Sequence, residues 1–317
     1  MTNIAIDLLV DSKDYYNNKY IPLITLFKLI GNLGYHAMML EVHLTPKPGL
    51  VDLTTNGAHD DMNVHTFEQS AQAISPFLIK FLYAGLNHSD SPIESLLPKL
   101  RPIGLSSEKA MLQATSGINT HKGMIFSLGI VCGVIGWLRG NNLSFDATHI
   151  SEAIKCCCHD LIFNELFKKK YKTNTYGESI YKEYGLTGAR GEAASGFATV
   201  MKYGLPAFEE IIKEGLSTEQ ALWQSLLALM ANNLDTNLVS RGGMEGLLYV
   251  QQVAQMLLAK GGCHYVSLES ELIELDKIFT KKRLSPGGSA DLLAITWLLA
   301  QLNELSFKYN PINSRKP

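Results

Sequence analysis

Gly123-Met124-Ile125-Phe126-Ser127-Leu128-Gly129-Ile130-Val131-Cys132-Gly133-Val134-Ile135-Gly136-Trp137-Leu138 is the longest apolar run in the chain, bounded by Lys122 and Arg139. It falls short of the ~20 apolar residues that span a bilayer comfortably, and Gly129, Gly133, Gly136 and Ser127 interrupt it. The reading is a helix buried within protein. Gly129 and Gly133 sit four apart and let a second helix approach closely.

Helical periodicity continues outward from this stretch. Ser217-Thr218-Glu219-Gln220 forms a capping box ahead of the apolar run Ala221 to Ala231. Gly242 to Lys260 repeats apolar residues at helical spacing and stops at Gly261-Gly262. Ala147 to Phe167 and Ser289 to Leu302 are long, apolar and helix-compatible. No hairpin dipeptide separates two alternating runs, and no short β-branched segments recur at regular spacing. The expected fold class is all-α, a single globular multi-helix domain over residues 1–317. Loops are expected at Leu44 to Met62, Asn87 to Ser107, Lys170 to Tyr176, Tyr184 to Arg190 and Arg283 to Gly288, with a loose tail from Asn310.

The 317 residues are 46% hydrophobic and 18% charged, and their net charge is −2. That charge excludes a global basic field of the kind that draws in nucleic acid, so a small anionic ligand needs a local basic cluster. Met1 to Val10 carries Asp7 and no basic flank, unlike a secretory signal. No membrane association is expected. The five cysteines are an odd number without a framework pattern, which points to free buried thiols in a reducing cytoplasm. Cys156-Cys157-Cys158-His159 resembles a metal motif, but consecutive side chains on a helix point about 100° apart and cannot converge on one ion.

Polar, glycine-rich punctuation falls in five segments, each beside an apolar helix. The first, Glu41 to Met62, sets four acids, Lys47, His43 and His59 on a backbone fixed by Pro46, Pro48, Gly49 and Gly57. Hard oxygen donors of this kind suit Mg²⁺, the usual companion of a polyphosphate. The second, Gly117 to Gly123, brings His121 and Lys122 to a helix start, where backbone N–H groups attract an anion or where Asn119 or Thr120 simply caps the helix. The third, Tyr184 to Gly196, places Arg190 between two glycines to fork onto phosphate oxygens. Glu192 follows it, as a partner for the helix dipole, a general base or a metal ligand. The fourth, Asn232 to Gly243, joins two apolar helices and carries Asp235, Asn237 and Arg241. The fifth, Leu284 to Asp291, is a glycine pair, Gly287 and Gly288, with Ser289, before another apolar helix. No Walker-type phosphate loop, dinucleotide fingerprint, nucleophile elbow or HExxH helix occurs. Spacing alone therefore reaches a phosphorylated ligand and a divalent metal.

The same segments resemble one family, the triphosphoribosyl-dephospho-CoA synthases that serve citrate lyase and malonate decarboxylase. The resemblance rests on Leu44-Thr45-Pro46-Lys47-Pro48-Gly49-Leu50-Val51-Asp52, Asn56-Gly57-Ala58-His59, Asn119-Thr120-His121-Lys122-Gly123 and Tyr184-Gly185-Leu186-Thr187-Gly188. It continues through Arg190-Gly191-Glu192-Ala193, Asp235-Thr236-Asn237-Leu238-Val239-Ser240-Arg241-Gly242-Gly243 and Leu284-Ser285-Pro286-Gly287-Gly288-Ser289-Ala290-Asp291-Leu292-Leu293-Ala294. It runs in order from about residue 22 to 302. Asp60 departs from it, at a position where relatives carry a basic residue.

The resemblance implies an enzyme acting on ATP and 3′-dephospho-CoA. The 2′-hydroxyl of the acceptor attacks C1′ of the ATP ribose and adenine leaves. The product is the precursor of the prosthetic group that a separate transferase attaches to the acyl carrier protein. Breaking the C–N glycosidic bond builds oxocarbenium character, as in glycoside hydrolysis. On that basis Glu41, Asp52 and Asp61 are expected to hold Mg²⁺. Lys47, His59, His121, Lys122, Arg190 and Arg241 are expected to meet phosphates, with Asn237, Gly287, Gly288 and Ser289 also on substrate. Glu192 or Asp235 is expected to be the general base. The alternatives are a metal-dependent all-helical hydrolase of ADP-ribose-type bonds and a module that binds ATP without turning it over.

Overall fold

The computed structural model describes residues 22–167 and 176–309. The expected tail from Asn310, the first ten residues and most of the Lys170 to Tyr176 loop lie outside them. Twelve α-helices and no β-strand occur among the described residues: α1 (Leu23–His43), α2 (Val64–Leu86), α3 (Leu97–Ala114), α4 (Lys122–Gly140), α5 (Ala147–Cys157), α6 (Tyr176–Tyr184), α7 (Gly188–Ala194), α8 (Leu205–Lys213), α9 (Thr218–Asn232), α10 (Thr236–Ala259), α11 (Leu268–Lys281) and α12 (Gly287–Tyr309). Short 3₁₀ turns at Ile93–Ser95 and Gly262–His264, and π turns at Phe163–Phe167 and Val200–Gly204, connect some of them.

The all-α expectation holds, and α4 is the buried helix that the apolar run demands. Thirteen of its residues from Met124 to Leu138 are buried. Each large apolar side chain so placed contributes about 1.5–3 kcal/mol. Helix α2 lies along α4 at backbone contact. A Cβ added to Gly85 would sit 1.8 Å from the Gly133 carbonyl, and one on Gly136 would sit 1.9 Å from the Leu82 carbonyl. Of the two glycines expected to admit a helix, Gly129 receives the Phe81 ring of α2 and Gly133 receives the Leu100 side chain of α3, while the backbone contact itself depends on Gly85 and Gly136. Helices α1 and α3 flank α2 on the N-terminal side.

Helices α8, α9 and α10 form the C-terminal layer, and α12 joins the two layers by packing on α1, α9, α8 and α4. A helix touched on so many sides is apolar all round, and residues 292–300 of α12 are buried without interruption. One core cluster of buried side chains runs from Leu26 to Leu305. Helices α1 and α4 are long and apolar enough to cross a membrane by composition, but α4 is a mostly buried core helix and α1 packs against α2 and α12.

Several boundaries differ from expectation. Asn87 to Ser107 is mostly helical rather than a loop: Pro98 stands in the first turn of α3, where its missing N–H costs nothing, and Pro102 is carried within the helix. The apolar stretch from Ala147 breaks after Cys157, and a π turn follows. Helix α10 starts earlier than Gly242, at Thr236, and kinks at Gly243, whose φ of 63° and ψ of −168° are non-helical. The capping box forms as expected, with Ser217 accepting from the Gln220 N–H. All five cysteines are free, and Cys156 is exposed rather than buried.

Candidate active site

The connection between α1 and α2 is a rigid frame that goes down into the protein. Asp52 organises it. One carboxylate oxygen accepts from the Lys47 N–H (3.0 Å), and the other accepts from the N–H groups of Thr54 (2.8 Å) and Thr55 (2.9 Å). Asp276 of α11 ties the frame down from the far side, accepting from Gly49 N–H at 2.9 Å and Thr55 Oγ1 at 3.0 Å. Gly49 has φ 73°, and a side chain there would strike the Leu284 carbonyl. Lys47 is fully buried, with its ammonium against the carboxylate and carbonyl of Glu41.

This frame corrects three expectations. Lys47 neutralises Glu41 instead of facing a phosphate. Asp52 spends its oxygens on turn N–H groups, as a buried polar side chain must be answered by hydrogen bonds. Asp61 stays at the surface, its side chain 63% exposed and 3.9 Å from His59 Nδ1, and does not line the cavity that the other segments form. Glu41, Asp52 and Asp61 are not gathered around one point, and among the described residues no three His, Cys, Asp or Glu side chains form a metal cage.

The remaining segments do converge. A cavity of about 530 Å³ is lined by Glu41, Leu50, Val51, His59 and Met62 from the frame, by Asn119 to Gly123 at the start of α4, and by Gly188, Ala189 and Glu192 of α7. Asn233 to Asn237, Ser240 and Arg241 of the α9–α10 corner complete it together with Ser285, Gly287, Gly288 and Asp291 at the start of α12. All five polar segments thus meet in one place.

Arg241 clamps two of them together. Its Nη1 donates to the Ala58 carbonyl at 2.9 Å, and its Nη2 meets His59 Nδ1 at 3.2 Å. His59 Nδ1 therefore accepts, and its Nε2–H donates to Ser285 Oγ at 3.0 Å. Burial and then the Arg241 charge lower the His59 pKa, so the ring is a neutral positioning group.

At the start of α4, Asn119 Oδ1 accepts from Lys122 N–H at 3.2 Å and provides the cap. Lys122 pairs with Glu108 at 3.0 Å and lines the cavity. His121 is buried. Thr120 Oγ1 donates to Ser70 Oγ (2.7 Å), so the Ser70 hydroxyl hydrogen goes to His121 Nδ1 (2.7 Å). The ring proton is then on Nε2, which has no partner among the described residues. Burial, and after it the nearby Lys47 charge, lower the His121 pKa to about 3. The ring is a neutral N–H donor set edge-on to Phe67 at 4.9 Å.

Asp235 is more than a candidate base. Its Oδ1 caps α10 by accepting from Asn237 N–H at 2.9 Å, and its Oδ2 accepts from Ser289 N–H (2.9 Å) and Oγ (3.2 Å) at the start of α12. Gly288 is glycine because a Cβ there would lie 2.8 Å from Asp235 Oδ1. The helix start expected to greet a phosphate is thus already answered by an internal carboxylate. Ser289 belongs to that link, while Asn237, Gly287 and Gly288 face the cavity.

Glu192 lies near the end of the seven-residue α7, not in a first turn. It lines the cavity and accepts from Thr199 Oγ1 (2.6 Å) and Thr199 N–H (3.2 Å). Burial raises its pKa despite those donors. Arg190 turns the other way: its Nε donates to Glu165 at 2.9 Å, and it lines a neighbouring groove instead of this cavity.

Asp291 is the residue that motif reading left without a role. It stands over Gly123, where a Cβ would come within 2.1 Å of its Oδ2, and it has no hydrogen-bond or ion-pair partner among the described residues. Burial, then the carboxylates of Glu41 and Asp235, hold its pKa well above the ordinary range. The signal was present in the sequence, because Asp291 is the lone charge between Arg283 and Glu304. The cavity therefore presents four carboxylates (Glu41, Glu192, Asp235, Asp291) against two cations (Lys122 and Arg241).

Residues 27–308 match the family model for ATP:dephospho-CoA triphosphoribosyl transferase. The chain is 79% identical over 313 residues to a probable 2-(5''-triphosphoribosyl)-3'-dephosphocoenzyme-A synthase of Photobacterium profundum, covering 98% of this chain and 100% of the relative. It is 58% identical over 279 residues to the protein of the same name from Vibrio cholerae, covering 88% and 89%. It is 51% identical over 265 residues to the 2-(5''-triphosphoribosyl)-3'-dephosphocoenzyme-A synthase of Pectobacterium atrosepticum, covering 83% and 86%. No solved structure matches it significantly.

Proposed function

The chain belongs to the ATP:dephospho-CoA triphosphoribosyl transferase family, and from that premise we propose how its cavity converts ATP and 3′-dephospho-CoA to 2′-(5″-triphosphoribosyl)-3′-dephospho-CoA and adenine. The supporting observation is the convergence of all five polar segments on one cavity. In the reaction the C1′–N9 bond of ATP breaks and a bond from C1′ to the acceptor 2′-oxygen forms. The acceptor hydroxyl loses a proton, and adenine leaves with the bonding electron pair and gains one.

Glu192 takes the hydroxyl proton. Of the other cavity carboxylates, Asp235 has both oxygens engaged by helix N–H groups, Glu41 is engaged by Lys47, and Asp291 is assigned in this reading to a divalent cation. Burial moves the Glu192 pKa upward, the direction that improves a carboxylate as a base near neutral pH. Adenine rests against Val51, Met62 and Phe67, and His121 Nε2–H donates to the departing ring. A neutral imidazole suits that task, because it donates without placing a cation beside the developing oxocarbenium ion. Arg241 and Lys122 hold the triphosphate so that C1′ faces the acceptor.

With Glu41 answered by Lys47, the wall still sets Glu192, Asp235 and Asp291 against Lys122 and Arg241, which does not by itself welcome a triphosphate, and this balance fits a substrate-borne divalent cation. Mg²⁺ keeps most of its waters and takes one or two protein carboxylates plus substrate phosphates, so no protein cage is needed. Asp291 and Glu41 are the residues that would hold it. When bound, the ion neutralises triphosphate charge and fixes the polyphosphate against the wall. The chain acts on this reading as a single cytoplasmic domain. Its product is destined for the acyl carrier protein of citrate lyase or malonate decarboxylase through a separate transferase.

Adenine release, followed by chromatography with ATP and Mg²⁺, tests the reading. Release only when 3′-dephospho-CoA is present is the expected result. Release in its absence identifies a hydrolase, and no release under either condition identifies a binding protein.

A further inference from the structure

We propose that the groove between α3 and α4 is the subsite for the acceptor's pantetheine arm. The proposal rests on the transferase reading above. The groove holds about 280 Å³. It shares Lys122, Gly123 and Ala189 with the reaction cavity, so the two spaces meet at the start of α4. Its floor is apolar, with Leu97, Phe126 and Ile130, and Leu105 stands 61% exposed at its mouth. At its rim Glu165 pairs with both Arg101 and Arg190 (Nε–O 2.9 Å), one carboxylate against two guanidinium groups.

The acceptor's chemistry matches this order of surfaces. 3′-Dephospho-CoA is an adenosine with the attacking 2′-hydroxyl, then a diphosphate, then a long chain with a gem-dimethyl group, two amides and a thiol. The hydroxyl must reach ATP inside the cavity, whose 530 Å³ lies within the range of about 300–1,000 Å³ that serves one drug-sized ligand. ATP and the acceptor's adenosine would together fill it, so the arm must leave. The route past the Lys122–Glu108 pair leads to the Arg101–Glu165–Arg190 group, whose surplus positive charge suits the diphosphate, and the apolar floor beyond suits the gem-dimethyl and methylene groups. Arg190 is thereby given a phosphate again, on the second substrate.

Calorimetric titration of the full chain with 3′-dephospho-CoA and with ADP tests this, because ADP keeps the adenosine diphosphate and lacks the arm. Two variants alter the groove: Leu105→Asp at an exposed position, and Gly104→Leu, where a Cβ meets nothing nearer than Phe81 at 4.0 Å. The unaltered chain is expected to bind 3′-dephospho-CoA about tenfold or more tighter than ADP. Both variants are expected to bring that ratio close to one with ADP affinity unchanged, which also shows that they fold. Equal affinities in the unaltered chain, or an advantage that survives both substitutions, overturn the subsite. Failure of acceptor-dependent adenine release in the unaltered chain would instead overturn the transferase reading and leave the affinity ratio to be judged separately.

Discussion

Acidification should destabilise the protein through one ring. His121 is buried, its Nδ1 accepts from Ser70, and its folded pKa is about 3 against 6.5 for an exposed imidazole. A depressed histidine contributes stability that is complete above 6.5 and is lost as pH falls toward 3, because only the unfolded state takes the proton. At pH 5 the unfolded ring is 1.5 units below its pKa, which at about 1.36 kcal/mol per unit costs about 2 kcal/mol. Asp291, Asp235 and Glu192 have raised pKa values and oppose this trend, each stabilising the fold as pH falls. The ring must therefore be isolated by comparing the chain with His121→Gln, whose amide accepts from Ser70 and donates outward without titrating. Urea unfolding at pH 7 and pH 5 should show the stability gap between the two proteins narrowing by about 2 kcal/mol on acidification. If the two curves shift in parallel, the ring protonates in the folded state, and the neutral Nε2–H donor assigned to adenine departure is wrong.

Glu192→Gln should lower kcat by about 10²–10⁴-fold with Tm unchanged and ATP still bound, measured by adenine release and thermal shift; wild-type turnover would remove the base assignment. Asp235→Ala should act first on stability, costing about 2 kcal/mol for two lost helix caps, with circular dichroism melting as the readout. Lys47→Met should cost about 3–5 kcal/mol by leaving Glu41 buried without its cation, and adding Glu41→Gln should recover part of it in denaturant titrations.

The fold was legible because its signals are local. Uninterrupted apolar residues from Gly123 to Leu138, a capping box at Ser217 and a glycine stop at Gly261 each specify helix without reference to the rest of the chain. The helix in the proline-bearing stretch after Asn87 was not legible, because a proline in a first turn and a proline in a loop look alike in one dimension. The site was legible as a set of segments but not as a set of roles. Glu41, Lys47 and Asp52 carry the right chemistry for a metal and a phosphate, yet they satisfy one another and the backbone around them. Which polar groups are consumed internally depends on distances that spacing does not encode. Asp291 shows the converse, since its importance comes from what fails to pair with it.

The glycine contact between α2 and α4 makes some distant lesions look like active-site lesions. Gly85 and Gly136 leave no side chain between two backbones, so any substitution there must separate the helices as rigid bodies. Gly136 lies fourteen residues past Lys122, about 21 Å along the axis at 1.5 Å per residue. Ser70 rides on α2, and Thr120 and His121 lie at the head of α4; their two 2.7 Å hydrogen bonds cross between the same two elements. A genetic screen for lost activity would therefore recover Gly136→Ala beside Glu192→Gln. The first would have an intact set of catalytic groups at the wrong separation, and because the added methyl meets the Leu82 carbonyl rather than a side chain, second-site changes that shrink neighbouring side chains should not relieve it.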